Sequence, residues 1–501
     1  MANLKKELGS PGQILLLLIF TVFLVYNSCC HPRIIENQQI GPCLNQSSVR
    51  VNCGRIDSIT LLVPGLPNNE YKLPIKCNQV IFNPTSNKSF NDLVRNYLNS
   101  QCFEQIYVCP CEPAFELWEN FTTEGNDVGV AIARAPKLEA TDCHLFPNIV
   151  SKIPDLNDGV INGNYKHVDS FIECKFLQKE VFIAIVDTGI DSTIRNQDRD
   201  GIPNDQWQPF HLTGNHCDIS PNTFRANNPL GLRFVENEFN NSSADLNGHG
   251  TGVNFVAAGL SEPNIQTDIR FKFLNIKSTT GTSKIGNLFD ALCGINYACK
   301  QSPKIVNISW GFKYFRNSSH PRIDLGLMQA FKDIFYQNKD ILFVTAAGND
   351  GMELTKRQKF YPASASTFCS NVLAVGAVVE KNGNFEISTF SNYQTGSTKN
   401  FVYTYGQNIK IVKFGILNPE SNNLSTENIG RNYIYNSGTS FAAPLISRIA
   451  GIISIKERNL NGPGLRSFIA QEARLNTGII PGKKLKIIDM KCIQNICNIE
   501  E

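Results

Sequence analysis

From about Glu173 onward the chain alternates between two hydrophobic periods. VFIAIVD (181–187) is apolar almost without interruption, the pattern of a strand buried on both faces. IRFKFLNIK (269–277), KIVNISWG (304–311), ILFVTAAGN (341–349) and NVLAVGAVV (371–379) read as further strands. Between them, NLFDALCGINYACK (287–300) carries Leu288, Leu292 and Ile295, with Phe289 nearby, at helical spacing. DLGLMQAFKDIFYQ (324–337) reads as another helix. This succession predicts an α/β fold: right-handed crossovers and a mostly parallel central sheet with helices on both faces. In such sheets functional residues gather just past the C-terminal ends of the strands, where Asp187, Ser309 and Asn349 fall.

Two more helices have a different character. TGVNFVAAG (251–259) is rich in small residues and suited to tight burial. FAAPLISRIAGIISI (441–455) is apolar nearly all round, which predicts a central helix, with Pro444 near the first turn where a missing N–H costs least. Residues 31–150 lack the alternation. They are rich in cysteine, proline and asparagine, with short apolar stretches such as SITLLVPGL (58–66) and DVGVAIARA (127–135). They predict a separate cysteine-rich N-terminal domain, α+β or mostly β, ahead of a main domain at 151–501.

Length and composition add bounds. The 501 residues suffice for two or three domains, and 42% apolar with 18% charged residues is globular. A net charge of +3 gives no reason to expect nucleic acid or an anionic membrane surface as partner. Lys5 and Lys6 followed by ILLLLIFTVFLVY (14–26) make residues 1–30 a secretory signal, too short for an ordinary membrane span. Tyr26 is a poor residue ahead of a cut at Cys29, so an uncleaved N-terminal anchor tethering an exported domain is the alternative. Past Cys30, 14 cysteines lie scattered, which fits disulfides and export better than metal. Seven fall on each side of residue 150, so full pairing requires a bridge across that boundary. Sequons at Asn45, Asn87, Asn120, Asn241, Asn317 and Asn423 are glycosylation sites if the host secretes through an ER, whereas Asn307 lies in an expected buried strand.

Four residues carry candidate chemistry, and each has an ordinary structural reading beside it. Asp187 ends a buried strand, where a carboxylate needs a partner but could equally open a turn. His249, framed by Gly248 and Gly250, could be a buried structural histidine. Asn349 could donate to a developing oxyanion or merely occupy a turn in GNDG (348–351). Ser440, in GTSFAAP (438–444), stands where a helix cap would stand; there the free N–H groups and the positive end of the helix dipole also favour a developing negative charge.

Together they fall in the order Asp, His, Ser, the order of the subtilisin arrangement rather than of the α/β-hydrolases. IVDTGID, NGHGTGV, NISWG, AAGND, YPASASTFCSNVLAVGAV and SGTSFAAP closely resemble the successive motifs of subtilisin-like serine proteases, the subtilases. The resemblance runs from about 178 to about 490 and does not reach 31–150. It implies a subtilisin-like three-layer fold. It implies Ser440 as nucleophile, His249 as general base and then acid, and Asp187 as the group that holds the imidazole. It implies Asn349 and the Ser440 backbone N–H as the oxyanion hole. Ser309, Trp310 and Gly311 resemble the edge segment that pairs with an extended substrate, and Ala346, Ala347 and Gly348 resemble the lining of the primary specificity pocket. Trp310 is equally well read as a core tryptophan.

The sequence departs from the family where Gly252 replaces a usual second histidine, and where the Asp187–His249 interval is lengthened across about 192–244. In that insertion Asn196, Asp198, Asp200 and Asp205 follow the start of an oxygen-ligand calcium loop, although Trp207 stands where an EF-hand has Glu. The other reading is a solvated acidic turn. No cofactor is required for the chemistry; calcium would be structural. The resemblance implies a secreted, monomeric endopeptidase acting on protein or peptide substrates, with 31–150 as a removable propeptide. The seven cysteines there count against a disposable segment. The alternatives are a catalytically silent binding protein on the same fold and, more weakly, an esterase.

Overall fold

The structure is a computed structural model that describes residues 56–498 except 64, 110, 112, 121–127, 138–142, 153–170, 175–179, 191–206, 210–230, 236–237, 241–244, 246, 262–263, 268, 280–284, 317–319, 382–383, 396–399, 413–432 and 477–484. The N-terminal apolar segment (1–30), the calcium candidates Asn196, Asp198, Asp200 and Asp205, and the sequons at Asn45, Asn241, Asn317 and Asn423 lie outside the described residues. Among the described residues no helix is long and apolar enough to cross a membrane, and no cluster of His, Cys, Asp and Glu could hold a metal.

The first unit is α+β. Its strands are β1 (Ile56–Leu62), β2 (Glu70–Phe82), β3 (Phe103–Val108), β4 (Glu116–Asn120) and β5 (Leu145–Lys152), with helices α1 (Lys88–Ser100) and α2 (Val128–Arg134). The pairings among these strands are antiparallel, with β2 central. The apolar stretch at 127–135 therefore forms a helix, while that at 58–66 supplies β1. Asn87 caps α1 by accepting the Phe90 N–H at 3.1 Å. Asn120, another of the sequon positions, is buried and donates to the Gln101 carbonyl at 3.0 Å.

The main unit is built on β6 (Glu180–Asp187), α3 (His249–Ala257), β7 (Arg270–Lys277), β8 (Ile285–Asn287), α4 (Leu288–Lys300), β9 (Ile305–Ile308), β10 (Phe312–Phe315), α5 (Pro321–Gln337), β11 (Leu342–Ala346), β12 (Gln358–Tyr361), β13 (Val372–Lys381), β14 (Phe401–Tyr405) and α6 (Thr439–Lys456). The expected parallel sheet is present, with spatial order β7-β6-β9-β11-β13-β14, each neighbour pair parallel. The order reverses between β6 and β9, so the switch point of the sheet lies between Asp187 and Ser309.

Strand alternation splits the core in two. On β6, Ala184 and Val186 face a cluster with α4 and α5, while Ile183 and Ile185 face a second cluster with α3 and α6. The first cluster continues without a break into the N-terminal unit, taking in Phe82, Phe115, Leu117 and Phe146. The two units thus share one core. Polar contacts fix the join. Arg322 of α5 donates to the carbonyls of Ile132 and Ala133, both at 2.7 Å, placing a cation at the C-terminal end of α2. Asn148 accepts the Phe289 N–H at the start of α4, and Asn296 donates to the carbonyls of Cys111 and Pro113.

A disulfide joins Cys109 to Cys293 of α4, across the boundary between the units. Full pairing of the cysteines does not occur: Cys143, Cys299, Cys369 and Cys492 are buried free thiols. Burial pushes their pKa values up, that of Cys369 to about 12, which keeps them protonated and unreactive.

The central helix α6 is buried along almost its whole length. Its Arg448 is fully enclosed, with no carboxylate against it among the described residues. The guanidinium donates to the carbonyls of Ile265 and Ala257 and lies 4.5 Å over the Phe271 ring. Burial lowers its pKa to about 9, still cationic at neutral pH. Ala257 ends α3, so this charge sits at the C-terminal end of the helix that begins with His249.

Candidate active site

Asp187 is the last residue of β6 and almost fully buried. Its Oδ1 accepts the Thr188 N–H at 2.7 Å and lies 2.8 Å from His249 Nδ1. His249 is the first residue of α3 and also buried. The preceding loop is organised by Asp245. One of its oxygens accepts the N–H groups of Asn247 and Gly248, and the other accepts the N–H and hydroxyl of Thr251. Gly250 runs so close to β6 that a Cβ would lie 2.4 Å from the Gly189 carbonyl, while its N–H bonds to Thr188 Oγ1 at 2.7 Å. Asp187 and His249 are therefore locked by their own loops. Gly252, the departure noted above, has a packing cause. A Cβ there would lie 3.0 Å from Ile411 and 3.2 Å from Phe441, so a histidine does not fit without repacking.

Burial alone would push the His249 pKa down. The charge of Asp187, the hydrogen bond to it and the charge of Asp245 outweigh that and raise it above the ordinary 6.5. The second ring nitrogen, Nε2, has no hydrogen-bond partner, so the link from His249 to Ser440 is not closed by a hydrogen bond in this conformation. The histidine ring lies beside Phe441, the residue after Ser440, with centroids 5.6 Å apart.

Ser440 is not the cap of α6. Gly438 is, Thr439 opens the helix, and Ser440 is its second residue. Pro444 has no N–H for the carbonyl four residues back, which belongs to Ser440. The hydroxyl of Ser309 fills that vacancy, donating to the Ser440 carbonyl at 2.9 Å. Ser309 itself accepts from Asn307, which accepts from Ser447 farther along α6. Asn307 is fully buried, as its place in a strand requires. Ser309 thus pins the turn that holds Ser440.

Asn349 follows β11. Its Oδ1 accepts both the N–H and the hydroxyl of Thr439, each at 2.9 Å. Thr439 Oγ1 accepts the Gly348 N–H at 3.0 Å. With its oxygen held twice, the amide has only its Nδ2 to present. A methyl on Gly438 would sit 2.9 Å from Ser440 Oγ and 3.3 Å from Asn349 Nδ2, so hydroxyl and amide converge on one small space. Thr439 and Asp245 are the residues the sequence reading missed. The threonine beside the serine in GTS was the available sign, but its partner lies 90 residues away.

These groups open on a cleft of about 340 Å³ lined by Ser309, Trp310, Gly311, Ala346, Gly348, Asn349, Thr439 and Ser440. Ala347 is fully buried behind it and its carbonyl accepts from Asn392, so it does not line the cleft. Trp310 is mostly buried and also lines the cleft, so its two readings merge. The far wall comes from the N-terminal unit: Tyr71, Pro74, Val150, Ser151 and Lys152. There β5 pairs antiparallel with β8 of the main unit, Lys152 opposite Ile285, while Ser151 Oγ donates to the Gly311 carbonyl at 2.6 Å and the Tyr71 hydroxyl to that of Lys313 at 3.1 Å.

A doubly wound parallel sheet, with a buried Asp–His pair and a helix-start serine beside a fixed amide at its switch point, has the makings of a serine hydrolase. The family model of the subtilases matches residues 178–486, more than half of the sequence, and the chain belongs to the subtilase family. It is 26% identical over 284 residues to the thermophilic serine proteinase of Bacillus sp. (strain AK1), covering 55% of this chain and 53% of that one. It is 28% identical over 268 residues to subtilisin-like protease 3 of Plasmodium falciparum, covering 50% of this chain and 31% of that one. The chain thus spans about half or less of these relatives' lengths. Among solved structures, fervidolysin of Fervidobacterium pennivorans, a keratinolytic enzyme related to subtilisin, superposes with a TM-score of 0.52 at 16% identity, covering 88% of this chain and 64% of that one. The epidermin leader peptide processing serine protease of Staphylococcus aureus gives 0.50 at 17% identity, covering 84% and 99%. At such identity these two structures establish the fold, the expected subtilisin-like α/β arrangement.

Proposed function

We propose that the protein is a secreted serine endopeptidase that cuts peptide bonds through Asp187, His249 and Ser440. The observation that carries this reading is the convergence of Ser440 Oγ and the Thr439-held amide of Asn349 beside the buried Asp187–His249 pair. The Ser440 hydroxyl attacks the scissile carbonyl while His249 Nε2 takes its proton. The resulting oxyanion is met by Asn349 Nδ2 and the Ser440 N–H. Such a side-chain donor contributes roughly 3–4 kcal/mol in the transition state. Collapse expels the amine, protonated by His249, and leaves an acyl-enzyme that water hydrolyses by the reverse sequence. Asp187 holds the Nδ1 proton and balances the imidazolium.

The same reading makes the N-terminal unit a pro-region that covers the cleft. Its β5 pairs with β8, and Val150, Ser151 and Lys152 of β5 stand in the wall of the cleft that also holds Ser309, Trp310 and Gly311, the segment read as the substrate's pairing edge. The acidic loop at Asn196–Asp205 remains a candidate for structural calcium, and residues 1–30 for the export signal.

A fluorophosphonate probe tests the catalytic reading. Folded, processed wild type is expected to be labelled and Ser440→Ala is not. Unlabelled mature wild type would favour the silent binding protein. Acid should also inactivate the enzyme. The base works only when neutral, and its pKa is raised, so activity is expected to fall as pH drops through a value above 6.5. A kcat/KM profile that stays flat to below pH 5 would remove His249 from the mechanism.

A further inference from the structure

We infer that Phe360 fills the primary specificity pocket, so that the residue supplying the attacked carbonyl must be small: glycine, alanine or serine. This rests on the peptidase reading above. Segments 309–311 and 346–348 face each other across the cleft beside Ser440, and the space between them is where that residue's side chain would go. The space is occupied. A Cβ built on Gly311 would lie 2.3 Å from one edge of the Phe360 ring, at Cε1, and one built on Gly348 would lie 2.6 Å from the other edge, at Cδ2. The ring is wedged between the two glycines, and it adds to what already excludes a side chain there: the Tyr361 carbonyl 2.4 Å from a Cβ on Gly311, and Asn392 Nδ2 at 2.4 Å with a φ of +99° at Gly348.

The strand that carries the ring is fixed, because β12 is held on its other face. Lys359 and Tyr361 point opposite to Phe360 by strand alternation. Lys359 Nζ lies 2.6 Å from Asp324 Oδ1, and the Tyr361 hydroxyl donates to the same oxygen at 3.1 Å. The Phe360 N–H bonds to Ser364 Oγ at 3.0 Å, and Lys313 pairs opposite Phe360 on β10. Lys313 and Asp350, which also line the cleft, form an ion pair at 3.2 Å.

The test uses the full chain, secreted and processed by itself, with active serine counted by fluorophosphonate titration. Peptide substrates are matched except for Ala or Phe ahead of the scissile bond. Wild type is expected to favour Ala by about 100-fold in kcat/KM, the discrimination a pocket makes against a side chain it cannot hold. Phe360→Gly is expected to reverse the preference with the titratable serine intact, and Phe360→Val to shift it part of the way. Titratable wild type that cuts both substrates equally overturns the inference and leaves the peptidase reading standing. So does a titratable variant that keeps the wild-type ratio. Wild type with no titratable serine removes both. If neither variant yields titratable enzyme, the wild-type ratio decides alone.

Discussion

Ser440→Ala is expected to lower kcat about a millionfold while leaving the fold intact. The loss is so large because, in the mechanism proposed above, the hydroxyl is the bond-forming group and the rest of the triad acts only through it. The fold survives because the hydrogen bonds at the start of α6 run through Thr439 and the Ser440 carbonyl, not through the Ser440 hydroxyl. A melting temperature within about 2 °C of wild type, alongside lost turnover, is the expected pair of results, since a substitution that breaks no such contact costs within about 0.5 kcal/mol. Residual catalysis from the oxyanion donors and substrate binding should stay about 10³-fold or more above water. A variant with even one per cent of wild-type kcat would mean that another group attacks.

The second large effect is expected of Asp187→Asn, a fall of about 10⁴ in kcat. The substitution is nearly isosteric, so the Thr188 N–H and His249 Nδ1 keep a partner in place. What disappears is a negative charge beside a buried imidazole. That charge and its hydrogen bond chiefly offset the cost of burying the imidazolium. Without them the His249 pKa falls, and the base becomes both weaker and harder to charge. The sign is specific: the small remaining activity should lose its acid limb at lower pH than wild type does. A variant within tenfold of wild type, or an acid limb that moves upward, would contradict the role given to Asp187.

The parallel sheet was legible because its strands are largely buried on both faces, and some of them, such as VFIAIVD and NVLAVGAVV, therefore read as near-continuous apolar runs. VFIAIVD became β6 with Asp187 at its end, whereas the switch point between β6 and β9 emerges only from the strand pairing. The N-terminal unit was harder to read for a physical reason. Its apolar face is completed by α4 and α5, elements more than a hundred residues away, so its own pattern is only half of a core. The helix at Val128–Arg134 is short, and its stretch carries too little periodicity to separate helix from strand. In the site, Asp187, His249, Asn349 and Ser440 could be picked out by frame and order. Thr439 and Phe360 could not. Thr439 matters through an amide 90 residues back, and Phe360 through two glycines brought to either side of it by strand pairing. Ser440 looked like a cap because caps and nucleophiles want the same helix end; two residues of register separate them here.

The Cys109–Cys293 bridge changes what cutting the backbone can achieve. Its two sulfurs lie on opposite sides of residues 153–177, so a cut anywhere in that interval yields two fragments that are still one molecule. An ordinary cleaved pro-region is a separate solute and is lost by dilution. A tethered one has an effective concentration in the millimolar range however dilute the protein becomes. If the N-terminal unit is the pro-region proposed above, its occupancy of the cleft follows first-order kinetics, set by how often β5 leaves the edge of β8. Release of the cleft would be controlled by the thiol potential of the surroundings or by digestion of the unit itself.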